Sequence, residues 1–138
     1  LKEIYGDFMD IEFKKPVILV VDDESDMCEM LVAILYGEGY GTDMANSGKA
    51  AVKKVKDGGV DFVLLDVIMP EMGGIETLQQ IKAVRPDIPV VMITAYATLK
   101  TAQEAMRLGA YDYITKPFNL GCVKAVIKQG LEEQYTNT

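Results

Sequence analysis

The sequence predicts an α/β fold built on an open parallel sheet, and three observations carry that reading. Five short runs rich in Val, Ile or aromatic residues alternate with segments of helical period, as in repeated βαβ units. The runs at 17–21, 62–65 and 90–94 are almost continuously apolar, as expected of strands covered on both faces. Polar residues then close the runs: Asp22-Asp23, Asp66, Thr94, and Lys116 after Tyr113-Ile114-Thr115. In an open parallel sheet the carboxyl ends of the strands border the ligand crevice.

Residues 1–15 stand outside the regular pattern. Leu1, Ile4, Phe8 and Ile11 fall at helical spacing, so the segment reads as a short amphipathic helix, a leader, or a linker from an upstream domain. The domain proper is expected over 16–138. The chain opens on Leu1 rather than Met and reads as a piece of a longer protein.

The first strand is 17–21. The first helix is expected to begin near Ser25 or Asp26, both good N-caps. Met27, Met30, Leu31, Ile34 and Leu35 form its inner stripe, and Gly37 and Gly39 end it. The second strand, 41–44, is more polar and belongs at an edge. The second helix follows Ser47 and carries Ala50, Ala51, Val52 and Val55, with Asp57-Gly58-Gly59 as its exit turn. After the strand at 62–65, a third helix begins near Gly74, carries Ile75, Leu78, Ile81 and Val84, and stops before Pro86. The strand at 90–94 leads to a helix from Thr98 to Leu108, ended by Gly109. The last strand is 112–114. The final helix follows Asn119 with Val123, Val126, Ile127 and Leu131 inward. Val123 and Val126 read first as core, and second as part of a face for a second copy of the chain.

Composition narrows the function. The length of 138 residues suits one domain. With 14 basic against 21 acidic residues the net charge is −7, which argues against direct nucleic-acid binding by this domain. No apolar run approaches the roughly 18 residues of a membrane span, and no signal peptide is visible, so the cytoplasm is the expected compartment and no membrane partner is implied. Cys28 and Cys122 are expected to be two buried reduced thiols. The absence of histidine rules out a Ser-His-Asp hydrolase, the usual zinc sites and a histidine phosphodonor.

Three carboxylates, a hydroxyl and a lysine gathered at four strand ends suit a phosphoryl group with a divalent cation. A carboxylate that attacks phosphorus forms an acyl phosphate, one form of covalent catalysis. Three acids placed together repel one another unless a cation intervenes. Mg²⁺ is the hard ion usually held by one or two carboxylates, a phosphoryl oxygen and waters. An Asp-x-Asp phosphatase is disfavoured because Asp66 is followed by Val67-Ile68, and a flavin phosphate would be repelled by Asp22-Asp23-Glu24.

Four segments, taken together and in this order, resemble the receiver domain of bacterial two-component response regulators over residues 16–135. They are Ile18-Leu19-Val20-Val21-Asp22-Asp23-Glu24, Leu64-Leu65-Asp66-Val67-Ile68-Met69-Pro70-Glu71-Met72-Gly73-Gly74, Val91-Met92-Ile93-Thr94-Ala95, and Gly109-Ala110-Tyr111-Asp112-Tyr113-Ile114-Thr115-Lys116-Pro117-Phe118. The resemblance implies a flavodoxin-like open sheet of five parallel strands in the order 2-1-3-4-5, flanked by five helices. It implies a phosphorylation-controlled switch that takes a phosphoryl group from a sensor histidine kinase, the alternative being an unphosphorylated interaction module. Asp66 is then the phosphoacceptor. Asp23, Asp66 and the backbone carbonyl of Ile68 hold Mg²⁺ directly, and Asp22 acts mainly through water. Lys116 brings positive charge to the phosphoryl oxygens, after a cis bond to Pro117. Thr94 is the switch hydroxyl and Tyr113 the aromatic coupled to it. Ile68 and Tyr96 occupy positions that tune acyl-phosphate hydrolysis in the family; both are bulky here, so a long-lived phosphoryl state is expected. The stretch from Thr94 to Tyr113 resembles receivers fused to ATPase-type transcription activators, and also receivers attached to kinases, so an output domain is an expected partner.

Overall fold

The computed structural model describes residues 15–95 and 97–136. Strands and helices alternate throughout: β1 (Val17–Val21), α1 (Ser25–Gly37), β2 (Gly41–Ala45), α2 (Gly48–Asp57), β3 (Phe62–Leu65), α3 (Gly74–Val84), β4 (Val90–Thr94), α4 (Leu99–Arg107), β5 (Asp112–Thr115) and α5 (Leu120–Thr136). The five strands form one parallel sheet in the order β2-β1-β3-β4-β5. This is the order the resemblance implied, with the polar strand β2 at an edge.

The strand period of two divides the apolar side chains between two cores. Ile18, Val20, Phe62, Leu64, Val91 and Ile93 face α1 and α5, where they meet Cys28, Leu31, Leu35, Val123, Ile127 and Leu131. Leu19, Val21, Val63, Leu65, Val90 and Met92 face α2, α3 and α4, against Ala51, Val55, Leu78, Ile81 and Ala105. Each fully buried Leu, Ile or Val among these contributes about 1.5–3 kcal/mol of transfer free energy. The α5 helix approaches the sheet closely because Gly130 has no side chain: a Cβ there would meet the ring of Phe62 at 2.7 Å. Val123 is buried in this core and Val126 partly so, in agreement with their reading as core residues.

Helix ends follow local chemistry. The Ser47 hydroxyl accepts the Ala50 N–H at 3.1 Å, capping α2. Thr98 and Thr101 form a reciprocal capping box at the start of α4. Gly39 (φ 97°) and Gly109 (φ 99°) turn the chain out of α1 and α4 through a left-handed conformation that other residues adopt at a cost.

Four details differ from the pattern reading. The helix α1 begins at Ser25 as expected, but its N-cap is Glu24, whose side chain makes no cap bond; the Asp22 carboxylate accepts the Glu24 N–H at 2.9 Å instead. Met30 and Val84 are exposed, because the buried stripes are narrower than the apolar lettering: Cys28, Leu31 and Leu35 in α1, and Thr77, Leu78 and Ile81 in α3. Cys28 is buried as expected, but Cys122 is exposed on the first turn of α5. Strands β2 and β5 each run one residue further, to Ala45 and Thr115.

Candidate functional site

Sheet register brings the polar strand ends level. Val21 pairs with both Ala45 and Leu65, so Asp22 and Asp66 emerge side by side, and the Asp66 N–H donates to the Val21 carbonyl at 2.9 Å. Leu65 pairs with Met92, and Thr94 pairs with Thr115. The Lys116 N–H donates to the Thr94 carbonyl at 2.8 Å, which carries the lysine past the end of β5 and back towards β1 and β3. The Lys116–Pro117 bond is cis.

The resulting constellation contains the acids and the lysine singled out in the sequence. One carboxylate oxygen from each of Asp22, Asp23 and Asp66 lies within 4.8 Å of the others. The Lys116 ammonium donates to Asp22 Oδ2 at 2.8 Å and to Asp66 Oδ2 at 3.4 Å. Asp66 Oδ1 accepts the Ile68 N–H at 3.2 Å. Asp22 and Asp66 are buried while Asp23 is exposed. Thr94 is buried and lines the same cleft of about 270 Å³, together with Asp23, Glu24, Met27, Asp66, Ile68, Ala95 and Lys116. Ile68 stands at the rim, 52% exposed. Tyr113 is half-buried, and its hydroxyl lies 3.0 Å from Thr101 Oγ1, in the first turn of α4. Tyr96 lies outside the described residues.

The β3–α3 loop is held tightly against Asp66. The Gly74 N–H donates to the Val67 carbonyl at 2.8 Å. A Cβ on Gly74 would overlap the Asp66 carbonyl and Val67, so only glycine fits this close approach. Met69, buried, anchors the loop to the core. Glu71 adopts φ 65°, a left-handed conformation that costs a non-glycine residue about 1–2 kcal/mol.

The electrostatics are those of a site short of positive charge. Among the described residues, three carboxylates face a single ammonium. At an effective dielectric of about 20, two unit charges 4.8 Å apart repel by about 3.5 kcal/mol. Burial raises the proton affinity of Asp66 above the ordinary carboxylate range; Asp22 adds to this, and the Ile68 N–H and Lys116 do not offset it. Burial works against the charge on Lys116, but Asp22 and Asp66 outweigh it and hold the ammonium above its ordinary value. A hard divalent cation with oxygen ligands fits this donor set, since added positive charge beside the acids relieves both the repulsion and the cost of keeping Asp66 ionised.

Two further residues touch the site that the sequence reading did not single out. The Cys28 thiol donates to the Asp22 carbonyl at 3.3 Å, and Asn46 Nδ2 donates to the same oxygen at 3.4 Å. Asn46 follows directly on β2, so the rule that strand ends border the crevice would have located it. Cys28 carried no signal beyond its apolar character.

Comparison with known proteins agrees with the geometry. The family model described as the response regulator receiver domain matches residues 18–128. The transcriptional regulatory protein ZraR of Escherichia coli (strain K12) is 44% identical over 119 residues, which is 86% of this chain and 27% of ZraR. The regulatory protein AtoC of the same strain is 40% identical over 117 residues, 85% of this chain and 25% of AtoC. Among solved structures, the CheY-like receiver domain protein from Methanospirillum hungatei JF-1 has a TM-score of 0.88 at 30% identity, covering 91% of this chain and 100% of that one. NtrX from Brucella abortus, solved in complex with ATP, has a TM-score of 0.81 at 36% identity, covering 88% of this chain and 28% of NtrX. The chain thus spans about a quarter of the length of the curated relatives it matches. It belongs to the response regulator receiver family, the phosphorylation-dependent switch domains of two-component signalling.

Proposed function

We propose that this domain accepts a phosphoryl group from the phosphohistidine of a sensor histidine kinase onto a carboxylate oxygen of Asp66. The P–N bond of the donor breaks as the P–O bond of the acyl phosphate forms. The observation that carries the reading is the convergence of three carboxylates and one ammonium at the ends of β1, β3 and β5. In this reading Asp23, Asp66 and the Ile68 carbonyl hold Mg²⁺, with Asp22 acting mainly through water. The bound ion supplies charge neutralisation for the transferring phosphoryl group.

The chain's own residues do the rest. The Ile68 N–H holds Asp66 Oδ1, leaving the carboxylate oriented in the cleft. Lys116, already 3.4 Å from Asp66 Oδ2, has only a short way to move to a phosphoryl oxygen. Thr94 donates its hydroxyl to another phosphoryl oxygen and draws Ala95 and the loop behind it inward. Tyr113 moves with it. Its hydroxyl is joined to Thr101, which also caps α4, so a shift of the ring is felt at the start of that helix. The added dianion is a local charge event that biases a two-state surface made by α4, β5 and α5.

The full-length protein is read as a cytoplasmic response regulator whose receiver controls an output domain of the ATPase type, as in the activators it resembles. A second copy of the receiver is its candidate partner in the active state. An unphosphorylated interaction module is not favoured, because acceptor, acid pair, lysine and hydroxyl are all present.

The test is incubation with a small acyl-phosphate donor, with and without Mg²⁺, followed by intact-protein mass spectrometry of wild type and Asp66→Asn. One phosphoryl adduct is expected, dependent on Mg²⁺ and absent from the variant. A folded wild type that binds Mg²⁺ and takes up no phosphoryl group would overturn the reading in favour of the interaction module.

A further inference from the structure

The Asp22–Asp23 peptide is held from more sides than its place in a surface turn requires. Its carbonyl oxygen accepts two donors from different parts of the fold: Cys28 Sγ at 3.3 Å, from α1, and Asn46 Nδ2 at 3.4 Å, from the turn after β2. A carbonyl has two lone pairs, and here both are engaged. On the other side of Asp22, the N–H donates to the Ala45 carbonyl at 3.2 Å. The Asp22 carboxylate is tied to Glu24 N–H and to Lys116. Asp23, by contrast, is exposed. Its direction is set by the peptide plane that precedes it, since the Asp22 carbonyl and the Asp23 nitrogen and Cα are coplanar.

We infer that Cys28 and Asn46 are positioning residues for the divalent-cation site, clamping the Asp22 carbonyl so that Asp23 is aimed at the ion before it arrives. The inference rests on the reading of Asp23 and Asp66 as cation ligands. The thiol is suited to the task. It is fully buried, so water does not compete for its proton, and its sulfur lies 3.3 Å from the Asp22 carbonyl against 3.9 Å from that of Val20, which makes Asp22 the nearer acceptor. Asn46 also donates to Ser25 Oγ at 3.2 Å, so one amide ties the end of the edge strand to the first residue of α1. A preset ligand loses less freedom on binding than a mobile one, which is where the clamp contributes.

The test is Mg²⁺ titration by calorimetry of the intact domain, without any phosphodonor, paired with urea denaturation in the absence of metal. The proteins are wild type, Asn46→Ala, Cys28→Ala, Cys28→Ser and Asp23→Asn. Mutating an outer-shell partner of a metal ligand typically weakens affinity about 10- to 100-fold. Acting one peptide away, Asn46→Ala and Cys28→Ala are each expected to weaken Mg²⁺ binding by about three- to tenfold. Cys28→Ser keeps a donor of similar size, and its affinity is expected to return to within about twofold of wild type. Asn46→Ala is expected to leave the metal-free denaturation midpoint nearly unchanged, which separates aiming from folding. Wild-type affinity in Asn46→Ala overturns the clamp, as does Cys28→Ser binding no better than Cys28→Ala, which would make packing the role of Cys28. Undiminished binding in Asp23→Asn, by contrast, overturns the cation-ligand reading itself and the clamp with it.

Discussion

Asp66→Asn is expected to stabilise the metal-free domain although it removes half of an ion-pair network. Asp66 lies within 4.8 Å of the Asp22 carboxylate, a repulsion of about 3.5 kcal/mol at an effective dielectric of about 20. The exposed Asp23 adds little, since solvent screens it. Against this, the variant loses the attraction of Lys116 at 3.4 Å, about 4.9 kcal/mol on the same scale. Coulomb terms alone therefore disfavour the variant by about 1.4 kcal/mol. Desolvation decides the sign: holding an ion in a buried site costs several kcal/mol, and the neutral amide avoids that cost. Lys116 keeps its closer partner, Asp22, at 2.8 Å, and the amide oxygen of the variant can still accept the Ile68 N–H. The net expectation is a gain of about 1–2 kcal/mol, in line with the raised proton affinity of Asp66. With a urea m-value of about 2 kcal/mol/M, the midpoint should rise by about 0.5–1 M.

Two conditions sharpen that measurement. For a carboxylate whose folded-state pKa is raised, the unfolded chain releases its proton first as pH rises. Wild-type stability then falls as pH climbs from the ordinary carboxylate range through the raised value. The advantage of the variant should thus be full at pH 7 and shrink on acidification. Mg²⁺ should reverse the order: at 100 times its dissociation constant it stabilises the wild type by about 2.7 kcal/mol, and the variant much less. A variant less stable than wild type in metal-free buffer at pH 7 would refute the electrostatic account, as would a gap that Mg²⁺ leaves unchanged.

Three other expectations follow from the same geometry. Lys116→Met leaves the buried Asp22 without its cation and should cost about 3 kcal/mol by urea denaturation, with part of the loss recovered in the double variant Lys116→Met/Asp66→Asn. Ile68→Asn replaces an apolar side chain at the rim of the cleft with one that can guide water; the phosphoryl adduct should persist for minutes or longer in wild type and decay several-fold faster in the variant, measured by mass spectrometry after donor removal. Gly74→Ala forces a methyl group into the Asp66 backbone and should cost about 3 kcal/mol, together with loss of phosphoryl uptake, whereas the same change at the open position Gly37 should be mild.

The alternation of strands and helices, the edge position of β2, and the strand ends that carry chemistry were legible in the lettering of the chain. Those properties are local. Near-continuous apolar runs arise from burial on both sheet faces, and a polar residue that closes such a run must emerge at the sheet's end. The resemblance added the strand order, which periodicity alone leaves open. Tertiary structure decided what depends on register and on close packing between segments distant in the chain. Lys116 reaches Asp22 across 94 positions because Thr94 pairs with Thr115 and so aims the following residue back at β1. Met30 and Val84 are exposed because each helix touches the sheet along a line narrower than its apolar lettering. Asn46 and Cys28 meet on one carbonyl oxygen because β2 lies beside β1 and α1 folds back over it. A hydrogen bond to backbone leaves no mark on the lettering of the residue that accepts it, so such contacts become visible only when the chain is folded.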